Sequence, residues 1–382
     1  MDRSSQPRVA FNAALLREPY SGVEVMIHET ACALASKGVL PYCIYTTRAA
    51  LRPIPAGDRV QVRRMGLGRS RGCRILWEQC MLPRQLRRDG AQVLHAPAYV
   101  APLAARCPLV LTVHDLHVFT HPQFCSLANR LHYRLLLPLS LRRAAAITVY
   151  SEHVRRVLLA RDPAAAARTH VIRPGVPVQF LKPASEMQRQ AAQVRHHLPA
   201  RYLLFVGDLA PRKNLPGVLA AFTRLRALFP DLHLVLAGAP GHGPDVSAAR
   251  TGRSAGAAGG APCDPVIWTG YVPAEDLPAL YAMAEALVFP SFDEGFGLPA
   301  LEAMACACPV VCSPGGAAEV CGAAALVCDP ASPASIAAAV QALLDNPDLR
   351  REKIAAGLRR AAQFRWEDAV RELEALYCAV AQ

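Results

Sequence analysis

Short apolar runs alternate with longer helical stretches along almost the whole chain, and this alternation limits the fold more than any other feature. The runs include LVLTVHDL (109–116), AAITVY (145–150), YLLFVG (202–207), LHLVLAG (232–238), VIWTGYV (266–272), ALVFP (286–290) and PVVCS (309–313). Ala-, Leu- and Arg-rich segments of helical period lie between them. Strands that are apolar at every position are buried on both faces, so the pattern predicts parallel sheets covered by helices, an α/β chain. At 382 residues the chain is long for a single core, and two doubly wound domains facing one cleft are expected.

The first series predicts a strand at 9–16, a helix at 22–38 and strands at 41–46 and 60–65. A basic amphipathic helix at 74–90 follows, with strands at 92–95 and 109–115. A helix at 127–145 should break at Pro138, which lacks an N–H. A strand at 147–150 leads to a helix that Ser151 caps. The polar stretch 177–200 holds the boundary, with domains at 1–180 and 201–365 and a linker at 181–200. The Gly/Ala-rich segment 241–265 reads as a surface loop.

Charge is divided unevenly. Residues 1–200 carry 28 Lys and Arg against 11 Asp and Glu, whereas residues 201–382 carry 14 against 19. No nucleic-acid-binding module accompanies the basic half, so nucleic acid is not expected as a partner. The arginine-rich segments 74–88 and 127–143 suit an anionic membrane surface instead. The opening MDRSSQPRVAFNAALL lacks the layout of a secretory signal, and no apolar run is long enough to span a bilayer. The thirteen scattered cysteines read as reduced. A cytoplasmic protein, peripheral on the inner face of the membrane, is the expectation. Cys306, Cys308 and Cys312 fit no zinc spacing and read as packing residues, so no metal is assigned.

The chemistry concentrates in FPSFDEGFGLPALEAMACACPVV (289–311). Glu294 falls in the loop after a strand, and Glu302 lies in the helix that follows. Gly295 and Gly297 admit a ligand close to the backbone. A helix N-terminus favours phosphate, whereas carboxylates there suit sugar hydroxyls. Between Ser254 and Leu349 there is no Lys, Arg or His. The cations for a diphosphate must therefore come from elsewhere, and FVGDLAPRKNLPG (205–217) offers Gly207, Arg212 and Lys213 at another strand–loop–helix junction. In the first half, LTVHDL ends a strand with His114, and PYSGVEV places Gly22 at a helix start.

FVGDLAPRKNLPGVLAAF, GYVPAEDLPALYAMAEALVFPSFDEGFGLPALEAMACACPVVCS and GGAAEVCGAAALVCDP together resemble the retaining GT-B glycosyltransferases of family four, whose E-x7-E motif matches Glu294 and Glu302. The resemblance is densest over 202–330. It implies that Glu294 orients the donor sugar and that Glu302 binds the nucleotide ribose. Arg212 and Lys213 would neutralise the diphosphate. Gly295, Phe296, Gly297 and Leu298 would present backbone to sugar and phosphates. Tyr271 and Val272 would lie by the base. His114 would sit near the donor sugar, and Gly22 would reach the diphosphate. The catalytic group is then Glu294, His114, Arg212 and Lys213, and the helix at 366–382 would pack back on the first domain.

No D-x-D pair occurs in the chain, which points away from metal-dependent transfer. The expected substrates are a nucleotide-sugar donor, GDP-mannose ahead of UDP-sugars, and a glycan or polyprenyl-diphosphate-linked acceptor. No separate cofactor is implied. A sugar-nucleotide epimerase and a nucleotide-sugar-binding protein without turnover are the alternatives. The EGFGLP…E pattern counts against the first. The joint presence of Glu294, Glu302, Arg212, Lys213 and His114 counts against the second. The family's Asn-Gly-Val-Asp is here Pro174-Gly175-Val176-Pro177, and its Ala-Cys-Gly-Thr-Pro is Ala305-Cys306-Ala307-Cys308-Pro309.

Overall fold

The computed structural model describes residues 6–66, 70–238 and 265–382, so the insertion at 241–265 lies outside the described residues except for Pro265. The chain forms two compact units, Met1–Gly175 with Phe364–Gln382, and Val176–Gln363.

Among the described residues, unit 1 is built on seven strands: β1 (Val9–Asn12), β2 (Tyr42–Thr47), β3 (Val60–Met65), β4 (Val93–Ala96), β5 (Leu109–Val113), β6 (Ala146–Val149) and β7 (Thr169–Val171). Their order is β3-β2-β1-β4-β5-β6-β7, and the pairings between these strands are parallel. Its helices are α1 (Gly22–Lys37), α2 (Arg71–Leu76), α3 (Leu82–Arg88), α4 (His117–Thr120), α5 (Leu127–Arg143) and α6 (Glu152–Arg161). Every residue of β1, β4, β5 and β6 is buried, as expected of a sheet covered on both faces.

Unit 2 adds α7 (Glu186–His196), β8 (Tyr202–Val206), α8 (Leu215–Leu228), β9 (His233–Ala237) and β10 (Val266–Gly270). It continues with α9 (Leu277–Met283), β11 (Ala286–Phe289), α10 (Leu298–Ala305), β12 (Val310–Cys312) and α11 (Gly316–Cys321). β13 (Ala325–Val327), α12 (Pro333–Asp345) and α13 (Pro347–Ala361) complete it, and α14 (Trp366–Ala381) returns to unit 1. The sheet order is β10-β9-β8-β11-β12-β13, again with parallel pairings. In each sheet the strand order reverses once, between β1 and β4 and between β8 and β11. Loops leaving the carboxyl ends at such a reversal diverge and open a crevice for ligands.

α14 is tied to unit 1 by polar groups as well as apolar ones. Glu374 Oε1 accepts from the Val39 and Leu40 amides at 2.6 and 3.0 Å and from the Tyr42 hydroxyl at 2.6 Å. The Tyr377 hydroxyl meets His95 Nδ1 at 2.6 Å, and His95 Nε2 meets Thr112 Oγ1 at 2.7 Å. Burial keeps His95 neutral, with its pKa lowered to about 3. A Cβ on Gly175 would lie 2.4 Å from the Trp366 amide nitrogen, so only glycine admits this approach.

Four elements differ from the expectations. β1 ends at Asn12 rather than Leu16, because Asn12 Oδ1 takes the Ala14 amide at 3.2 Å and the Leu16 amide turns back to Ala13 O at 3.1 Å. α5 runs through Pro138 without a break. It is fixed by the Ser126 cap at one end and by Ser140 Oγ, which donates to Leu136 O at 2.8 Å and accepts from the Ala101 amide at 3.2 Å. The helix expected at 74–90 is α2 and α3 joined by a π turn at Trp77–Met81, where the Leu82 amide bonds back to Trp77 O. The linker expected at 181–200 is part of unit 2. Ser185 and Gln188 form a capping box for α7, which packs on α9, and Arg195 and His196 both bond Asp276. The polarity of 181–200 reflects a surface helix with one buried face, not a free tether.

Candidate functional site

The loops after β8 and β11, beside the reversal point of the unit 2 sheet, bring together the residues that sequence spacing kept 81 positions apart. Lys213 Nζ lies 2.7 Å from Glu294 Oε2, and Arg212 Nη1 lies 3.3 Å from the same oxygen. Lys213 is buried, and its ammonium also stands over the Phe289 ring at 4.4 Å from the centroid. Burial pulls the Lys213 pKa below the ordinary lysine value, while Glu294 opposes that shift. A buried ammonium is retained here because a carboxylate and an aromatic face compensate for lost water.

The backbone around this pair is held from several sides. Arg212 and Lys213 sit on a 3₁₀ turn, Pro211–Lys213, that ends at Asn214 in the left-handed region (φ 59°). Asn214 Oδ1 caps α8 through the Gly217 amide at 3.2 Å, and its Nδ2 donates to Pro290 O at 3.2 Å and Pro330 O at 2.6 Å. The Phe292 amide donates to Arg212 O at 2.8 Å, which sews the two loops together. Gly297 precedes α10 with φ 92°, and a Cβ there would meet Ala317 at 2.8 Å. The Gly316 amide donates to Glu294 O at 3.0 Å, and a Cβ on Gly316 would fall 2.3 Å from Gly295 O. Likewise a Cβ on Gly238 would fall 1.8 Å from Gly207 O, so β8 and β9 end in a glycine–glycine contact. Gly207 itself has φ 142°, with the Lys213 stem packed beside it.

Glu302 occupies the second turn of α10 and is buried, with the Tyr281 hydroxyl donating to its Oε2 at 2.8 Å. Phe296 and Leu298 are buried at the start of α10, whereas Gly295 carries backbone into the loop. At the end of β10, Tyr271 is exposed and Val272 is buried. Cys308 and Cys312 are buried, as packing residues would be, and burial raises the Cys308 thiol to about 12. Their neighbour Cys306 is half-buried.

In unit 1, His114 directly follows β5. Its Nε2–H donates to Pro97 O at 2.6 Å, and its ring packs against Tyr99 and Tyr150 at 5.3 and 5.1 Å between centroids. Burial lowers its pKa, partly offset by the Pro97 carbonyl and by Asp115. The imidazole is therefore neutral at pH 7, with Nδ1 left as the acceptor nitrogen. Gly22 is the first residue of α1, and the space where a Cβ would stand is open. Ser21 and Glu24 form a capping box at the same turn, so Glu24 acts as a cap.

Sequence reasoning missed one buried group. The π turn carries Glu78 inward, where it accepts from Asn12 Nδ2 at 3.2 Å and pairs with Arg74 at 3.0 Å. Burial raises the Glu78 pKa, and Arg74 and Asn12 work against that rise. One signal was available: Glu78 is the sole acid in the basic stretch 70–88. Asn214 and Gly238 were also missed as structural parts of the site, although Asn214 lies directly after the two cations.

Comparison with known proteins identifies two matching families. The family described as Glycosyl transferases group 1 matches residues 186–360, and Glycosyltransferase Family 4 matches residues 20–180. The O-antigen chain mannosyltransferase B of Escherichia coli is 34% identical over 284 residues, 72% of this chain and 71% of that protein. A D-inositol 3-phosphate glycosyltransferase of a Nocardioides species is 29% identical, across 93% of this chain and 84% of that protein. Among solved structures, Alr3699/HepE of Anabaena, determined in complex with UDP-glucose, is similar with a TM-score of 0.71. It is 17% identical and covers 97% of this chain and 99% of its own, which speaks to the fold.

Proposed function

Starting from the premise that the chain belongs to the group 1 glycosyltransferases, with two Rossmann-like domains of the GT-B type, we propose that it moves a hexose from a nucleotide diphosphate sugar to a glycan acceptor with retention. The observation that carries this reading is the convergence of Lys213 and Arg212 on Glu294 at the carboxyl ends of β8 and β11. Two cations beside a helix N-terminus suit the charge that develops on a departing diphosphate. A carboxylate already oriented by them can accept hydrogen bonds from the sugar hydroxyls.

In this reading the bond between the anomeric carbon and the diphosphate oxygen breaks as the acceptor oxygen forms its bond on the same face. The acceptor proton passes to the departing phosphate. Lys213 and Arg212 stabilise that phosphate, so no divalent metal is required. Glu302 binds the ribose, Tyr271 and Val272 border the base, and Gly295 to Leu298 offer backbone to sugar and phosphate. The family resemblance also assigns His114, neutral and anchored by Pro97, to the donor sugar and Gly22 to the diphosphate.

Mannose from GDP-mannose is the favoured donor, and a lipid-linked glycan of surface polysaccharide or lipopolysaccharide is the favoured acceptor. The likeness to an O-antigen chain mannosyltransferase supports the mannosyl part and the surface-polysaccharide setting. Relatives named for D-inositol 3-phosphate favour a second reading, transfer to a small phosphorylated polyol. A thermal-shift panel of GDP- and UDP-sugars in chelator, on wild type and Glu302→Ala, tests the donor half. Ligand at a hundredfold excess over Kd stabilises the folded chain by about 2.7 kcal/mol. A shift with one nucleotide series that the variant loses supports the reading. No shift with either series, or a shift the variant keeps, rejects the assignment of Glu302.

A further inference from the structure

We propose that Tyr281 is a positioning residue for the donor nucleotide: its hydroxyl holds the Glu302 carboxylate toward a vicinal diol and so sets a preference for ribose over deoxyribose. The proposal rests on the reading of Glu302 as the group that binds the ribose. Tyr281 is 0% and Glu302 6% exposed, so a ligand that Tyr281 cannot touch is reached through the carboxylate it holds. The hydroxyl lies 2.8 Å from Glu302 Oε2. Burial, and then the Glu302 charge, push the Tyr281 pKa well above the ordinary phenol value. The proton stays on the phenol, and the bond has one direction, with Tyr281 donating. A carboxylate has about four acceptor positions on its two oxygens, so it can hold a phenol and two neighbouring sugar hydroxyls together. It meets both hydroxyls only at a fixed rotation, which the Tyr281 bond supplies.

The phenol is itself fixed. Tyr281 stands in the last turn of α9, which packs against α7 and α10. At the start of α9, Asp276 takes Arg195 and His196 of α7 at 2.7 and 2.8 Å. One residue before Tyr281, Leu280 O accepts the Tyr202 hydroxyl of β8 at 2.7 Å. The Tyr281 ring meets the Phe180 ring edge-on, at 5.9 Å between centroids. Helix, strand and ring contacts together leave the hydroxyl little freedom. Much of this support comes from residues 180–196, a stretch whose polarity alone resembles a tether. Folding by itself does not require a carboxylate here, since well-packed apolar groups in place of buried charge are often as stable.

Titration calorimetry of the full chain with GDP and UDP, each against its 2′-deoxy and 3′-deoxy analogues, tests the proposal. Wild type should bind one ribonucleotide about tenfold more tightly than its deoxy forms, the usual weight of a hydrogen bond to a charged group. Tyr281→Phe removes one oxygen and keeps the ring. It should lower ribonucleotide affinity about tenfold and affect the deoxy analogues less, so that most of the preference is lost. In transfer assays the donor KM should rise while kcat holds. Glu302→Gln and the double variant close a cycle on the same preference. With Tyr281 acting through Glu302, the double variant should discriminate no worse than Glu302→Gln alone. The double variant also removes the unpaired buried charge, so it should fold even where Tyr281→Phe does not. Equal losses for ribo- and deoxynucleotides, additive effects in the cycle, or a preference untouched by Tyr281→Phe overturn the proposal and leave the donor site standing. If wild type binds neither nucleotide, or shows no preference for ribose, the reading of Glu302 falls and the proposal falls with it.

Discussion

Each unit sets a carboxylate beside a cation near the reversal point of its sheet, yet the two pairs are assembled in different ways. In unit 2, Glu294 meets Lys213 and Arg212 across two loops that are joined by backbone bonds and glycine contacts. In unit 1, Glu78 meets Arg74 from the preceding turn of the same helical run, and Asn12 from β1 completes the set. The first pair exists only when β8 and β11 lie side by side. The second is local, and its tertiary content is the π turn that turns Glu78 inward. A pair held by two strand ends is positioned with little freedom, as a reaction centre needs. A pair held within one helix secures that helix to the sheet.

The comparison can be broken experimentally. The largest effect should come from Lys213→Met, which removes the cation proposed to face the leaving group. Turnover should fall about 10²- to 10³-fold, measured as sugar transfer under saturating donor. A variant that retains wild-type turnover would detach the unit 2 pair from the chemistry. Gly316→Ala follows, because its methyl would press on the Glu294–Gly295 backbone. It should cost about 1–3 kcal/mol in urea unfolding and weaken donor binding as well. Unchanged stability and binding would mean that the α11 start yields easily.

Smaller effects are expected in unit 1. Glu78→Gln preserves shape and removes the charge opposite Arg74, so a loss of about 1 kcal/mol with transfer intact is expected. A collapse of transfer would instead place Glu78 among the working groups. His95 supplies a pH test. The folded state holds this histidine neutral with a pKa of about 3, whereas the unfolded chain protonates it near its ordinary value. The unfolded state then binds more protons, and stability declines as pH falls from about 6.5 toward 3, by up to about 1.4 kcal/mol per unit for this group. In melts at successive pH values, His95→Gln should flatten that slope.

Much of this was readable in the residues alone. Strand-length apolar runs with helical spacers specify parallel sheets because both faces must be covered, and the two sheets have that form. Glu294, Arg212 and Lys213 stand at strand–loop–helix junctions whose small and turn-forming neighbours mark them. The limits were equally physical. Residues 181–200 are polar enough to resemble a tether, but one face of α7 is covered by α9. Pro138 resembles a breaker, but a helix already fixed at both ends by serine contacts tolerates one missing bond. Glu78 has the i,i+4 spacing to Arg74 of a surface pair, and no local signal announces the π turn that carries it inward.

By itself, then, the sequence determined the fold class, most strands of both sheets and the identity of the charged groups in unit 2, because apolar periodicity and turn chemistry are local properties. Tertiary structure alone decided which atoms meet. It set Lys213 and Arg212 on one oxygen of Glu294, brought Tyr281 to Glu302, and returned α14 to unit 1 through Glu374 and Tyr377. Such contacts join segments distant along the chain, and a buried charge can be kept only where another segment arrives to compensate it.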